Sequence, residues 1–225
     1  MIEDILPIKA VKRRYHAWKE WPAIMREKTH GLPIVFSNSY QRASKYWFYS
    51  GQMTLSQNLY KERRNNYNFW PIEYEMLGKP VYFLDIYDLK RFPDSLKTPI
   101  GVIGYRYDSS FLSFETIQIP IASRTIKEGD SLHISYFTGG YLPFASDYLK
   151  KSRKPYTVYM IFFKGKDVVA ERKIEMNLDQ YIMKTHGHVV VYPGLAKGNY
   201  KMMFSIAVEG YNPTHNSEKI DVTIE

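Results

Sequence analysis

The residues nearest to a chemical motif are His186-Gly187-His188. On a strand, side chains two apart share a face, and two imidazoles on one face can ligate a divalent metal. No Asp, Glu or third His falls at a spacing that completes a set, so this pair is expected to lie at a strand end or loop and no metal site is assigned. Asp85, Asp88 and Asp94 gather near the end of an apolar run, where carboxylates can do acid–base work or bind a cation. No partner spacing singles them out, and helix capping or loop solvation is the expected use. A Ser-His-Asp arrangement, a phosphate-cradling glycine loop and a His-Glu-x-x-His pair are all absent from the sequence. No catalytic residue is assigned and no cofactor is expected.

A richer signal runs from Tyr40 to Trp70. It holds Tyr40, Gln41, Ser44 and Tyr49, then Arg63, Arg64, Asn65, Asn66, Tyr67 and Trp70. Arg binds phosphate through two parallel hydrogen bonds, Asn and Gln bind hydroxyls, and aromatic faces stack on sugars. Grouped on loops, these ten residues have the composition of a substrate-binding surface. The plainer reading is that Trp47, Phe48 and Phe69 are core, and that Arg63 and Asn65 fix loops by bonding backbone.

Elements must position these residues. Residues 10–28 space Val11, Tyr15, Trp18 and Met25 as an amphipathic helix, with Pro22 expected to kink or restart it. Leu32–Phe36 reads as a short buried strand. Ser37-Asn38-Ser39 supplies a turn and a helix N-cap, and residues 40–50 form a helix closed by Gly51. This strand–turn–helix unit places its loop at the carboxyl end of a strand, where open α/β sheets bind ligands. Residues 53–71 read as a loop with a short helix around Asn66–Trp70, Val81–Ile86 as a second strand, residues 87–100 as a polar connection, and residues 101–107 as a third strand.

Beyond residue 111 the texture changes. Strands are expected at Phe114–Ile121, Ser131–Phe137, Thr157–Phe163, Val168–Ile174, His188–Tyr192, Tyr200–Val208 and Ile220–Ile224. Lys127-Glu128-Gly129-Asp130, Gly139-Gly140, Lys164-Gly165-Lys166-Asp167, Pro193-Gly194 and Asn212-Pro213 separate them. Seven short strands with such punctuation suggest an immunoglobulin-like antiparallel β-sandwich. The expected class is therefore α+β or α/β: a small α/β, three-layer-like half over residues 1–111, and a β-sandwich over residues 112–225.

Composition bounds the rest. The chain has 225 residues, enough for two domains with cores of their own. It has no cysteine, which excludes disulfides and thiolate metal sites. No apolar run is long enough to span a bilayer, and the first 21 residues lack the pattern of a signal peptide. Net charge is +8, most of it in the first half, in residues such as Lys12, Arg13, Arg14, Lys19, Arg26, Lys28, Arg42 and Lys45. An anionic lipid surface, a phosphate-bearing lipid or nucleic acid would account for such an excess, as would a solvated face without a partner. No nucleic-acid recognition motif accompanies it, so nucleic acid is not the expected partner.

The order Pro33-Ile34-Val35-Phe36, Ser39-Tyr40-Gln41, Ala43-Ser44, Phe48-Tyr49-Ser50-Gly51 and Arg63-Arg64-Asn65-x-Tyr67-x-x-Trp70 resembles a stretch in bacterial membrane glycosyltransferases of family 39. That group is similar to protein mannosyltransferases and to the aminoarabinose transferase of lipid A. The resemblance covers roughly residues 10–90. It implies a soluble C-terminal domain on the extracytoplasmic, periplasmic side of the inner membrane, following the last transmembrane helices. The family moves a sugar from a polyprenyl-phosphate donor with inversion. Its catalytic carboxylates lie in a loop near its first transmembrane helices, so none is carried over to this chain. The implied partners are the transmembrane domain of the same protein, the polyprenyl-phosphate sugar and the anionic membrane surface. A carbohydrate-binding or adhesion module without any transferase is the alternative, resting on the sandwich and on the 20 tyrosines.

Overall fold

The computed structural model describes residues 9–127, 131–137, 154–178 and 186–224, with the side chains of 9–15, 123–127 and 137 left out. The expected turns at 128–130 and at Gly139-Gly140 lie outside the described residues, as do the side chains of Val11, Lys12, Arg13, Arg14 and Tyr15. The chain forms two compact units. The first holds residues up to Gln57 together with Gly78–Phe111, and the second holds Asn58–Leu77 together with Leu112 onward. Two contiguous halves were expected. Instead the chain leaves the first unit after Gln57, contributes residues 58–77 to the second, and returns at Gly78.

In the first unit, helix α1 (Lys9–Lys28) is followed by β1 (Ile34–Ser37), α2 (Tyr40–Ser50) and β2 (Thr54–Gln57). Later come β3 (Val81–Asp85), β4 (Asp94–Thr98) and β5 (Gly101–Asp108), with a short helix α3 (Ile72–Met76) earlier in the second unit's segment. The five strands make one sheet in the order β2-β1-β3-β5-β4. β1 pairs in parallel with β2 and β3, while β5 is antiparallel to β3 and β4. Strands β2 and β4 fall where the sequence reads as loop, because both are short and polar: Thr-Leu-Ser-Gln and Asp-Ser-Leu-Lys-Thr. Pairing with a neighbour, not intrinsic preference, makes them strands.

Helix α1 runs through Pro22 without a break. Trp21, one residue earlier, is fully buried and meets Phe36 of β1 and Tyr46 of α2 at ring-centroid distances of 5.7 and 5.2 Å. This aromatic packing holds the turn that proline alone would loosen. The helix ends in crossed bonds from His30 N to Glu27 O and from Gly31 N to Arg26 O, with His30 at φ 51° and Gly31 at φ 74°. Helix α2 packs on the same sheet face, where Thr54 Oγ1 donates to Ala43 O at 2.9 Å. Both helices therefore cover the face bearing Ile34 and Phe36. On the opposite face Phe92 stacks on Phe83; among the described residues of this unit both α-helices lie on the first face, so the three-layer arrangement is not confirmed.

The second unit carries seven strands: β6 (Ile121–Lys127), β7 (Ser131–Phe137), β8 (Tyr156–Lys164), β9 (Asp167–Ile174), β10 (His186–Val191), β11 (Gly198–Val208) and β12 (Ile220–Ile224). They form two antiparallel sheets, β10-β7-β6 and β12-β11-β8-β9. The strand expected at Phe114–Ile121 is not formed; pairing starts at Ile121. Phe114, Ile117 and Ile119 give this stretch its apolar character and are buried without pairing in a strand ladder. Asn216 Nδ2 holds part of that stretch by donating to Phe114 O and Ile117 O at 2.6 and 2.8 Å.

Candidate functional site

The ten residues expected to form one binding surface divide between the units: Tyr40, Gln41, Ser44 and Tyr49 in the first, Arg63 to Trp70 in the second. Each group has its own geometry.

Helix α2 buries Ala43 and Tyr46 on one side and turns Tyr40, Gln41, Ser44, Lys45 and Phe48 outward. At 100° per residue these five span one continuous face. Phe48 is 80% exposed and Tyr40 49%, so the helix presents two aromatic rings among polar neighbours. Tyr49 is half-buried and meets Phe48 edge to face at 5.0 Å. Ser39 occupies the N-cap position but makes no capping bond with its side chain. Its hydroxyl instead accepts from Arg42 Nη1 at 3.3 Å, while the Arg42 guanidinium lies 6.0 Å from the Tyr87 ring. The turn before α2 is therefore fastened by a side chain of the helix itself. Asp85, at the end of β3, accepts backbone bonds from Tyr87 and Asp88 at 2.7 and 3.4 Å, which is loop fixation.

In segment 58–77 residue type alone does not decide burial: Asn58, Asn68 and Glu73 are buried while Phe69 and Trp70 are exposed. Asn68 is buried and receives Asn58 Nδ2 at 2.8 Å, while its own Nδ2 donates to Glu115 at 2.6 Å. Asn65 caps the tight turn Asn66–Asn68 by accepting from Tyr67 N, and Asn68 Oδ1 accepts from Asn65 N in return. Arg64 is half-buried and donates to Gln118 and Glu218. Tyr67 is 2% exposed. Arg64, Asn65 and Tyr67 thus build the segment. Arg63 and Asn66 are exposed, and so are Phe69 at 66% and Trp70 at 43%. Trp70 meets Tyr67 at 5.5 Å, and the Arg64 guanidinium stands 5.8 Å from the Phe69 ring.

The first unit also contains a cleft of about 550 Å³ beside the last turn of α1. Its walls include Lys28, His30, Tyr82, Asp94, Tyr105 and Tyr107. Strand register explains the convergence: Tyr82 is opposite Tyr107, and Asp94 is opposite Tyr105, so alternation brings all four to one face. Tyr105, over whose ring Lys28 Nζ lies at 4.9 Å from the centroid, raises the pKa of Lys28, and the charge of Asp94 adds to it. Sequence reading missed this cleft because its tyrosines come from two separate strands, Tyr82 from β3 and Tyr105 and Tyr107 from β5; the signal available was the alternation in Gly101–Asp108.

His186 and His188 do lie on a strand, β10, and share a face. Among the described residues no group of three potential ligands forms a metal site.

No protein-family profile matches the chain, and no curated protein does either. A solved structure of the chicken interferon gamma receptor alpha chain is similar over 55% of this chain and 59% of the receptor chain, less than two thirds of the latter's length. The identity is 8% and the TM-score 0.29. Among the described residues no helix is long and apolar enough to cross a membrane.

Proposed function

We propose that the chain is a non-catalytic soluble domain of a family-39-like glycosyltransferase, in which it engages the transmembrane domain and the acceptor or the polyprenyl-phosphate sugar donor from the extracytoplasmic side. The motif order between Pro33 and Trp70 supports this reading. The single observation that carries it is the outer face of α2, where Tyr40 and Phe48 stand exposed around Gln41 and Ser44 inside that same motif stretch. Two exposed aromatic rings grouped on one helix face, Tyr40 and Phe48, suit a helix that docks onto a second domain. Phe69 and Trp70 offer a comparable aromatic patch on the second unit.

In this reading the second unit is an immunoglobulin-like sandwich that supports the contact surfaces. Its first, second and fifth strands share one sheet, and its third, fourth, sixth and seventh share the other. Tyr200, near the start of the next-to-last strand, donates its hydroxyl to Ala196 O at 2.8 Å, the back-bond characteristic of such sandwiches.

The test has two arms. The reading frame upstream of Met1 in the gene should encode a series of hydrophobic helices. In the protein carrying them, a photo-crosslinker placed at Phe48 should capture the membrane domain. A frame without such helices, or a crosslinker at Phe48 that does not capture the membrane domain, rejects the reading.

A carbohydrate-binding module remains the second reading, favoured by the three tyrosines, Asp94 and Lys28 in the cleft, a mixture that suits a hydroxyl-rich ligand. Glycan binding by the chain that is abolished in Tyr107→Ala would establish it in place of the first.

A further inference from the structure

The cross-strand geometry of β7 and β10 supplies what the His-Gly-His sequence lacks. Antiparallel register sets Val190 opposite His133 and Ser135 opposite His188, so the two histidines are diagonal neighbours on one face. His133 Nδ1 lies 3.2 Å from His188 Nε2, with ring centroids 5.2 Å apart. Two ligands bound at about 2.0–2.1 Å to one tetrahedral ion stand roughly 3.3 Å apart. The two nitrogens already have that spacing. Ser131 Oγ lies 3.3 Å from the other His133 nitrogen, Nε2, an outer contact of the kind that fixes a ligating ring's orientation. Gly187, between the paired histidines, is also determined by packing. A Cβ there would lie 2.3 Å from the Tyr136 hydroxyl, so any larger residue would displace that ring from its place across β10. Tyr136 in turn meets Phe204 of β11 at 5.8 Å, which anchors the two strands that hold the histidines.

We propose that His133 and His188 form a two-imidazole site for a borderline transition ion, copper(II), nickel(II) or zinc(II). The ion takes the place of the hydrogen bond between Nδ1 and Nε2: each imidazole ligates as a neutral ring with its proton on the other nitrogen, which for His133 is Nε2, beside Ser131 Oγ. Water fills the remaining positions, since no third described His, Asp or Glu joins the pair. Imidazole ligands favour these ions over magnesium or calcium.

The intact chain is titrated with copper(II) and with magnesium as control, followed by calorimetry and electron paramagnetic resonance. One copper(II) per chain should bind with nitrogen coupling from two imidazoles, and magnesium should not bind. His188→Ala should weaken copper binding about tenfold or more and leave coupling from one imidazole at most. His188→Gln, which keeps a hydrogen-bonding partner for His133 without an imidazole, should lose the ion while circular dichroism stays that of the parent. Ser131→Ala should weaken binding less than either. Absence of copper binding, or copper affinity unchanged in both His188 variants, overturns the site.

Discussion

Asn68 Nδ2 donates to Glu115 Oε1 at 2.6 Å, and that same oxygen accepts the backbone N–H of Asn58 at 2.9 Å. Glu115 thus fastens both ends of a stretch that starts where the chain enters the second unit. Glu73, also fully buried, accepts from Glu115 N at 2.7 Å and from Thr116 N and Oγ1 at 2.9 and 2.7 Å. Burial, and then the charge of Glu73, push the Glu115 pKa well above the ordinary carboxylate value. The folded state therefore binds a proton that the unfolded chain releases near pH 4.5. Stability from this group is fully present below that pH and is lost as pH rises through the folded value, with a limiting slope of about 1.4 kcal/mol per pH unit. Glu115→Gln, neutral at every pH, should flatten that decline in urea unfolding measured from pH 4 upward.

His215 works in the opposite direction. Burial, with the Arg64 charge behind it, lowers its pKa to about 4 from 6.5. A lowered value means the unfolded chain takes up the proton first. Stability from this residue is complete above about pH 6.5 and is lost as pH falls toward 4. Thermal melts should show a midpoint falling by several degrees between pH 7 and about pH 5, and His215→Phe should remove most of that drop.

Tyr60 anchors segment 58–77 to the outer side of the four-stranded sheet, packed with Ile161, Phe163 and Met203. Its hydroxyl donates to Glu171 Oε1 at 2.6 Å. Tyr60→Ala should cost about 3–5 kcal/mol and Tyr60→Phe about 1–2 kcal/mol in denaturant unfolding. In Tyr60→Ala, limited proteolysis should cut first within residues 58–77.

In the first unit Gln52 joins three pieces of chain. Its Oε1 accepts from the Tyr46 hydroxyl at 2.9 Å, and its Nε2 donates to Gly31 O and Leu32 O at 2.6 and 2.8 Å. Tyr46 is fully buried, and burial raises its pKa to about 12. Gln52→Ala strands that hydroxyl and should destabilise the fold by about 1–3 kcal/mol. Tyr46→Phe combined with Gln52→Ala should recover part of the loss, as a double-mutant cycle will show.

Phe48 separates a docking face from ordinary packing. At 80% exposure it supports little of the fold, and Phe48→Ala should change unfolding free energy by no more than about 0.5 kcal/mol. A larger loss would place the ring in the fold's own packing and remove the basis for the proposed contact surface.

By itself the sequence determined the elements with strong local signals. The helices around Pro22 and at residues 40–50, the glycine stop at Gly51, the strands at Val81–Asp85 and Tyr156–Lys164 and the late β-strands are legible from periodicity and turn residues. Tertiary structure alone decided what locally ambiguous residues became. Thr54–Gln57 and Asp94–Thr98 are strands because a neighbouring edge offers hydrogen bonds, which no local preference records. Asn68, Glu73 and Glu115 are interior because their partners arrive from 42 to 57 residues away, while Phe48 and Phe69 stay outside because no described surface of their own unit covers them. The pairing of His133 with His188 is likewise set by strand register across 55 residues. Burial and pairing are properties of contacts between distant segments, so residue type and spacing fix the menu and the assembled fold makes the choice.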